Sequence, residues 1–221
     1  MKAFLNKDKR VKIESYLKFL ISSRHNLTAI KDPTEAYQKH FLDIYLPLEG
    51  LNLKGNFIDI GTGGGVPGII CAILFPESEW TLLDSIGKKV KEIETFISRL
   101  NLKNVRAVCQ RAEEHAVLNR EKYSGAFMRA VARADICLEY AAPLIHIGGR
   151  IYLYRGPGWK EEKDAAEHAA SLLGLSIDRV IEYKIEENIK RNLVIYKKVC
   201  PTPVEFPRKT GIAVKKPLGG K

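Results

Sequence analysis

Phe57-Ile58-Asp59-Ile60-Gly61-Thr62-Gly63-Gly64-Gly65-Val66-Pro67-Gly68 decides the fold. A short apolar strand ends in an acid and breaks into a glycine loop just ahead of a helix. Glycines let a backbone take positive φ and approach a ligand closely. The exposed N–H groups of a helix start favour electron-rich partners. A nucleotide-type cofactor is therefore expected at this junction. Trp80-Thr81-Leu82-Leu83-Asp84 supplies a second strand ending in a carboxylate, 21 positions after Gly63, which is the spacing that brings an acid to a ribose.

Working outward, strands and helices alternate. Residues 56–60, 80–84, 105–109, 125–130 and 149–154 read as strands, and 66–75, 87–100, 135–146 and 159–174 as helices. Such alternation predicts a parallel sheet covered by helices on both faces. Residues 179–185 and 192–198 are β-rich runs with only a polar turn between them, so an antiparallel hairpin is expected at the sheet's edge. Ahead of the core, residues 9–24 set Ile13, Leu17, Leu20 and Ile21 on one helical face. A second helix of about 12 residues follows Asp32-Pro33 and carries His40, Phe41 and Asp43. Three parts result: an N-terminal helical extension (1–54), the α/β domain (55–200) and a basic tail (201–221) in which four prolines leave little room for regular structure.

Composition narrows the class. No apolar run is long enough to span a bilayer, and the N-terminus lacks a secretory pattern, so a cytoplasmic protein without membrane attachment is expected. The four cysteines form no C-x-x-C pair, and buried reduced thiols are expected, with neither disulfide framework nor metal site. The formal net charge of +10 is concentrated: nine Lys or Arg and one acid, Glu205, lie from residue 188 onward. That is an electrostatic footprint for a polyanion, or else a solvated tail.

Gly63 to Gly68 satisfies G-x-G-x-x-G, so a nicotinamide dinucleotide is one reading. Against it, Asp59 sits where a pyrophosphate would bring negative charge. A carboxylate there suits a cationic or zwitterionic ligand. S-adenosylmethionine has a sulfonium, an amino group and a ribose but no phosphate, which matches acids at both strand ends. Pro67 is read as the first helical residue, where its missing N–H costs nothing. Beyond the third strand, Ala112 and Glu113 stand where a flat ring would rest, although Glu113 also reads as a solvated first-turn acid. Arg129 interrupts an apolar fourth strand and needs a partner. That partner is either a ligand at the carboxyl end of the sheet or a structural carboxylate.

Taken together, Asn26-Leu27-Thr28, His40-Phe41-Leu42-Asp43, Asp59 to Ile69, Leu83-Asp84-Ser85 with Lys88-Lys89, Ala112-Glu113, Arg129-Ala130-Val131-Ala132, Arg208-Lys209-x-Gly211 and Lys216-Pro217-Leu218 resemble the RsmG (GidB) family. Its members methylate guanine N7 of 16S ribosomal RNA in the small subunit. The resemblance runs from residue 26 to residue 218. It implies a Rossmann-like class I S-adenosylmethionine-dependent methyltransferase with a mostly parallel seven-stranded sheet. It also implies that Gly61, Val66, Ala112, Glu113 and Arg129 contact the cofactor, with Asp84 and Ser85 near its ribose and adenine. The chain departs from the family at Met128 and Ile44, where a serine is common.

The candidate set is then Asp59, Gly61, Gly63, Val66, Asp84, Ser85, Ala112, Glu113 and Arg129 for the cofactor, with Arg129 also the candidate for catalysis. Lys88, Lys89, Arg208, Lys209, Lys215 and Lys216 are expected to meet RNA. The expected partner is small-subunit ribosomal RNA or the subunit itself, with no DNA and a monomeric protein. Guanine N7 has a free lone pair, so no general base is required. Consistently, the chain has no Asn-Pro-Pro-Tyr or Asp-Pro-Pro-Tyr element and no Pro-Cys nucleophile.

Overall fold

The computed structural model describes residues 5–187 and 189–220. Asn6 caps α1 (Lys7–Ser22) by accepting the N–H of Lys9. Asp32 caps α2 (Pro33–Ala36) in the same way through Glu35. The chain continues without a break through a π-helical segment, Tyr37–Leu42, into α3 (Asp43–Tyr45). The wide π turn falls where His40 and Phe41 go inward, and such turns concentrate at functional sites.

The core follows as β1 (Gly55–Ile60), α4 (Gly68–Leu74), β2 (Ser78–Asp84), α5 (Gly87–Arg99), β3 (Val105–Cys109), α6 (Ala112–Leu118), β4 (Tyr123–Arg129), α7 (Ala134–Ala141), β5 (Ile145–Arg155), α8 (Trp159–Leu173), β6 (Leu175–Lys184) and β7 (Lys190–Lys198). A single turn, α9 (Ile212–Lys215), lies in the tail. The seven strands are ordered β3-β2-β1-β4-β5-β7-β6. β1 to β5 are parallel, and β7 runs antiparallel between β5 and β6. This is the Rossmann-like sheet with an antiparallel terminal hairpin expected above.

Strand alternation divides the core into two layers. Phe57, Trp80, Leu82, Phe127, Tyr152 and Tyr154 face α1, α3, α4 and α5, with Phe127 and Tyr152 stacked at 4.3 Å. Ile58, Ile60, Leu83, Met128, Ile151 and Leu153 face α6, α7 and α8. α5 reads its amphipathic pattern directly, burying Val90, Ile93 and Phe96 three residues apart. The N-terminal helices share the first layer's core, and the Tyr16 hydroxyl donates to the carbonyl of Gly64 at 2.9 Å.

Several expected boundaries shift. Pro67 stands one residue before α4, which starts at Gly68. β5 begins at Ile145, ahead of Gly148-Gly149. α6 lies outside the expected helix ranges, although the reading of Glu113 as a first-turn acid implies a helix start there. Two of the cysteines, Cys109 and Cys200, are exposed, against the expectation of buried thiols, because each lies just beyond or at the end of a strand.

Candidate cofactor cleft

The order of strands reverses between β1 and β4, and in open α/β sheets the crevice outside the carboxyl ends at such a point holds the ligand. The glycine loop fills the start of that crevice. Gly61 has φ +69°, and a Cβ there would stand 2.8 Å from Val131 Cγ2, so the close approach needs glycine. Beneath the loop, Asp59 Oδ2 accepts from Thr62 Oγ1 at 2.6 Å and from the N–H of Gly68 at 2.9 Å. It fastens the loop's first residue pair to the start of α4. Burial pushes the Asp59 carboxyl up to about 7 despite these two donors. Its other oxygen has no partner among the described residues. Asp59 therefore acts inside the loop, where the sequence reading had turned it toward the ligand.

Asp84 closes the loop from β2. Its Oδ2 accepts from the N–H of Gly63 at 3.0 Å and its Oδ1 from that of Ile86 at 2.9 Å. Each carboxylate oxygen can take a second donor, which leaves room for a ribose hydroxyl. An open cleft of about 260 Å³ begins here, walled by Gly61, Asp84, Ser85, Ile86, Ala112 and Glu113. Ile86 is an exposed apolar platform at 41%, suited to a flat aromatic ring. Gly63, Val66 and Arg129 are not among the residues that wall this cleft; Arg129 stands next to the wall residue Ala130. Lys89, expected on the RNA face, lines the cleft. A larger cleft of about 420 Å³, between Trp80, Arg106 and Lys122, opens at the amino ends of the strands. It lies at the opposite end from the loop and its acids.

Arg129 ends β4, and the next residue, Ala130, turns the chain at the cleft wall with φ +56°. A non-glycine residue in that region is strained by about 1–2 kcal/mol. The Arg129 Nε donates to Asp43 Oδ2 at 3.0 Å and an Nη2 hydrogen goes to the carbonyl of Lys39 at 2.8 Å. The structural partner left open by the sequence is thus present, and it comes from the N-terminal helices. Three of the five guanidinium hydrogens are left for a ligand. Asp84 for ribose hydroxyls, Ile86 and Ala112 for adenine, and Arg129 for a carboxylate together fit S-adenosylmethionine. Nearby, His40 Nε2 pairs with Thr28 Oγ1 at 2.9 Å, and burial followed by the Arg129 charge lowers its pKa to about 4.

The model of the GidB family, rRNA small subunit methyltransferase G, matches residues 9–194. The chain belongs to this family. It is 40% identical over 97% of its length to ribosomal RNA small subunit methyltransferase G of Pseudothermotoga lettingae, covering 94% of that protein. The Carboxydothermus hydrogenoformans protein of the same name is 41% identical, again over 97% and 94% of the two chains. Among solved structures, a methyltransferase from Pyrococcus furiosus superposes with a TM-score of 0.57 at 16% identity, over 88% of this chain and all of that one. P. horikoshii TYW2 in complex with MeSAdo gives 0.57 at 9% identity, over 72% and 62%. These neighbours share the fold.

In this member of the GidB family the tail is anchored, which its composition did not predict. Arg208 donates from Nε and Nη2 to the buried carboxylate of Glu139 at 2.7 and 2.5 Å. Glu113 is buried rather than solvated, and its Oε1 accepts the N–H of Gly211 at 3.0 Å. Asp135 accepts the N–H of Gly219 at 3.1 Å. Arg208, expected at RNA, is an anchor: its guanidinium pairs with Glu139 of α7. Lys88, Lys209, Lys215 and Lys216 are exposed. Lys198, counted in the basic excess, is fully buried and paired with Glu121 at 2.8 Å.

Proposed function

We propose that this chain transfers a methyl group from S-adenosylmethionine directly to N7 of a guanine in small-subunit ribosomal RNA, with no covalent enzyme intermediate. The observation that carries the reading is family membership over nearly the whole chain, joined to a cleft at the switch point whose residues suit that cofactor. When bound, the cofactor supplies a methyl group activated by a sulfonium.

The protein's part is positioning. Asp84 and Ser85 would hold the ribose and adenine edge, Ile86 and Ala112 the ring faces, and Arg129 the amino-acid end. Because N7 already presents a lone pair, the side chains have no proton to remove. Alignment of acceptor and methyl carbon then carries the rate, and orientation of this kind supplies several kcal/mol of a barrier, up to about 7–11. Lys209, Lys215 and Lys216 with Lys88 would meet RNA phosphates, which set register, while unpaired bases give specificity.

Labelled cofactor supplied with naked 16S RNA, free small subunits and assembled ribosomes from cells lacking the protein tests this. Label on a single guanine, released by chemistry selective for N7-methylguanine, is the expected result. Label on an exocyclic amine, or none on any of the three substrates, overturns it.

A further inference from the structure

Asp43 is 3% exposed at its side chain and is held from a second direction. The Tyr183 hydroxyl, on β6, donates to Asp43 Oδ1 at 2.7 Å and lies 2.9 Å from its backbone carbonyl. Arg191, on β7, stands 3.8 Å from the same Oδ1. The opposite oxygen, Oδ2, takes Arg129 Nε. A chain of contacts thus runs from the terminal hairpin, through the N-terminal helices, to the end of β4. Its members are separated by 86 and 140 residues in sequence.

We infer that Tyr183 is a positioning residue for Arg129: its hydroxyl fixes the Asp43 carboxylate so that the guanidinium presents its remaining hydrogens to the amino-acid carboxylate of the cofactor. The inference rests on the reading that Arg129 meets that carboxylate. The geometry supports a dedicated clamp. Asp43 alone has a torsion that lets its carboxylate turn, and the Arg129 guanidinium, whose Nη2 is tied only to the Lys39 carbonyl, would turn with it. With Tyr183 on one oxygen and Arg129 on the other, both ends are set. Burial, with the Asp43 charge beside it, raises the Tyr183 pKa well above its ordinary value, so the hydroxyl stays a donor. The Tyr183 ring is also half-buried against the first layer of the core, which keeps it in place when the hydroxyl alone is removed.

The test compares two ligands that differ in the carboxylate-bearing end, S-adenosylhomocysteine and 5′-methylthioadenosine, bound to the full chain. Tyr183→Phe is expected to weaken S-adenosylhomocysteine about 5- to 10-fold and to leave methylthioadenosine within about twofold. Arg129→Ala is expected to show the same selectivity, larger. If Arg129→Ala is selective and Tyr183→Phe weakens neither ligand, or both alike, Tyr183 has no positioning role and the inference fails alone. If Arg129→Ala is itself unselective, the reading of Arg129 fails and takes the inference with it. Thermal melts of both variants accompany the titrations. A large fall in melting temperature with parallel loss of both ligands marks a structural role and counts against the inference.

Discussion

Single side chains carry two predictions about charge placement. Asp59 is buried with two donors on one oxygen and none described on the other. Its folded pKa of about 7 exceeds the ordinary 3.8, so between roughly pH 4 and 7 the native state holds a proton the unfolded chain has released. Stability contributed by this group therefore falls as pH rises through that window. Asp59→Asn keeps an acceptor for Thr62 and Gly68 and removes the charge. Relative to the wild type its stability should climb from pH 4 to pH 8, by at most about 4 kcal/mol at 1.36 kcal/mol per unit. Urea denaturation across that range checks it, and a difference that does not vary with pH would place Asp59 among ordinary carboxylates. Arg208 is the opposite case. Arg208→Ala leaves the buried Glu139 without its cation, with only the backbone N–H of residue 208 on it, and should cost about 3 kcal/mol, whereas Lys209→Ala, on the exposed side, should stay within about 0.5 kcal/mol.

Elements show what periodicity reaches and where it stops. Strands β1 to β4 were legible because each is a short apolar run ending in a polar punctuation, and α5 because its apolar residues repeat at helical spacing. α6 is only seven residues, AEEHAVL, with Val117 and Leu118 exposed, so no apolar stripe announces it. At the cleft, Gly61, Asp84, Ser85, Ala112 and Glu113 were legible as residue types at strand ends. The partners of the two acids were not, because Gly63 answers Asp84 and Gly211 answers Glu113, as Gly68 answers Asp59 beneath the loop, through backbone N–H groups that a side-chain pattern cannot display. The start of α4 offers a direct check on how tightly loop and sheet are fitted. A Cβ on Gly68 would stand 2.8 Å from Asp59 Oδ2 and run into Leu82 Cδ2. Gly68→Ala should therefore cost about 2 kcal/mol, roughly 5 °C of melting temperature in a chain of this size. Gly156→Ala, with open space around it, is the control and should melt with the wild type.

At the scale of the molecule, both chain ends converge on the carboxyl edge of the sheet: the N-terminal helices on Arg129, and the tail on Glu113, Glu139 and Asp135. The tail's charge was visible in composition, but its attachment was not, since the carboxylates that receive it lie 69 to 98 residues earlier. Anchoring and the proposed RNA contact are consequently separable in one segment. Replacing Lys209, Lys215 and Lys216 by glutamine leaves Arg208 and the backbone anchors in place, so the melting temperature and the affinity for S-adenosylhomocysteine should hold. RNA binding should weaken and lose salt dependence. For unpaired RNA each phosphate contact contributes about 0.7 to the slope of log affinity against log salt, and three lost contacts would lower it by about 2. A slope equal to that of the wild type would mean that these lysines are solvated and that the RNA lies elsewhere on the protein.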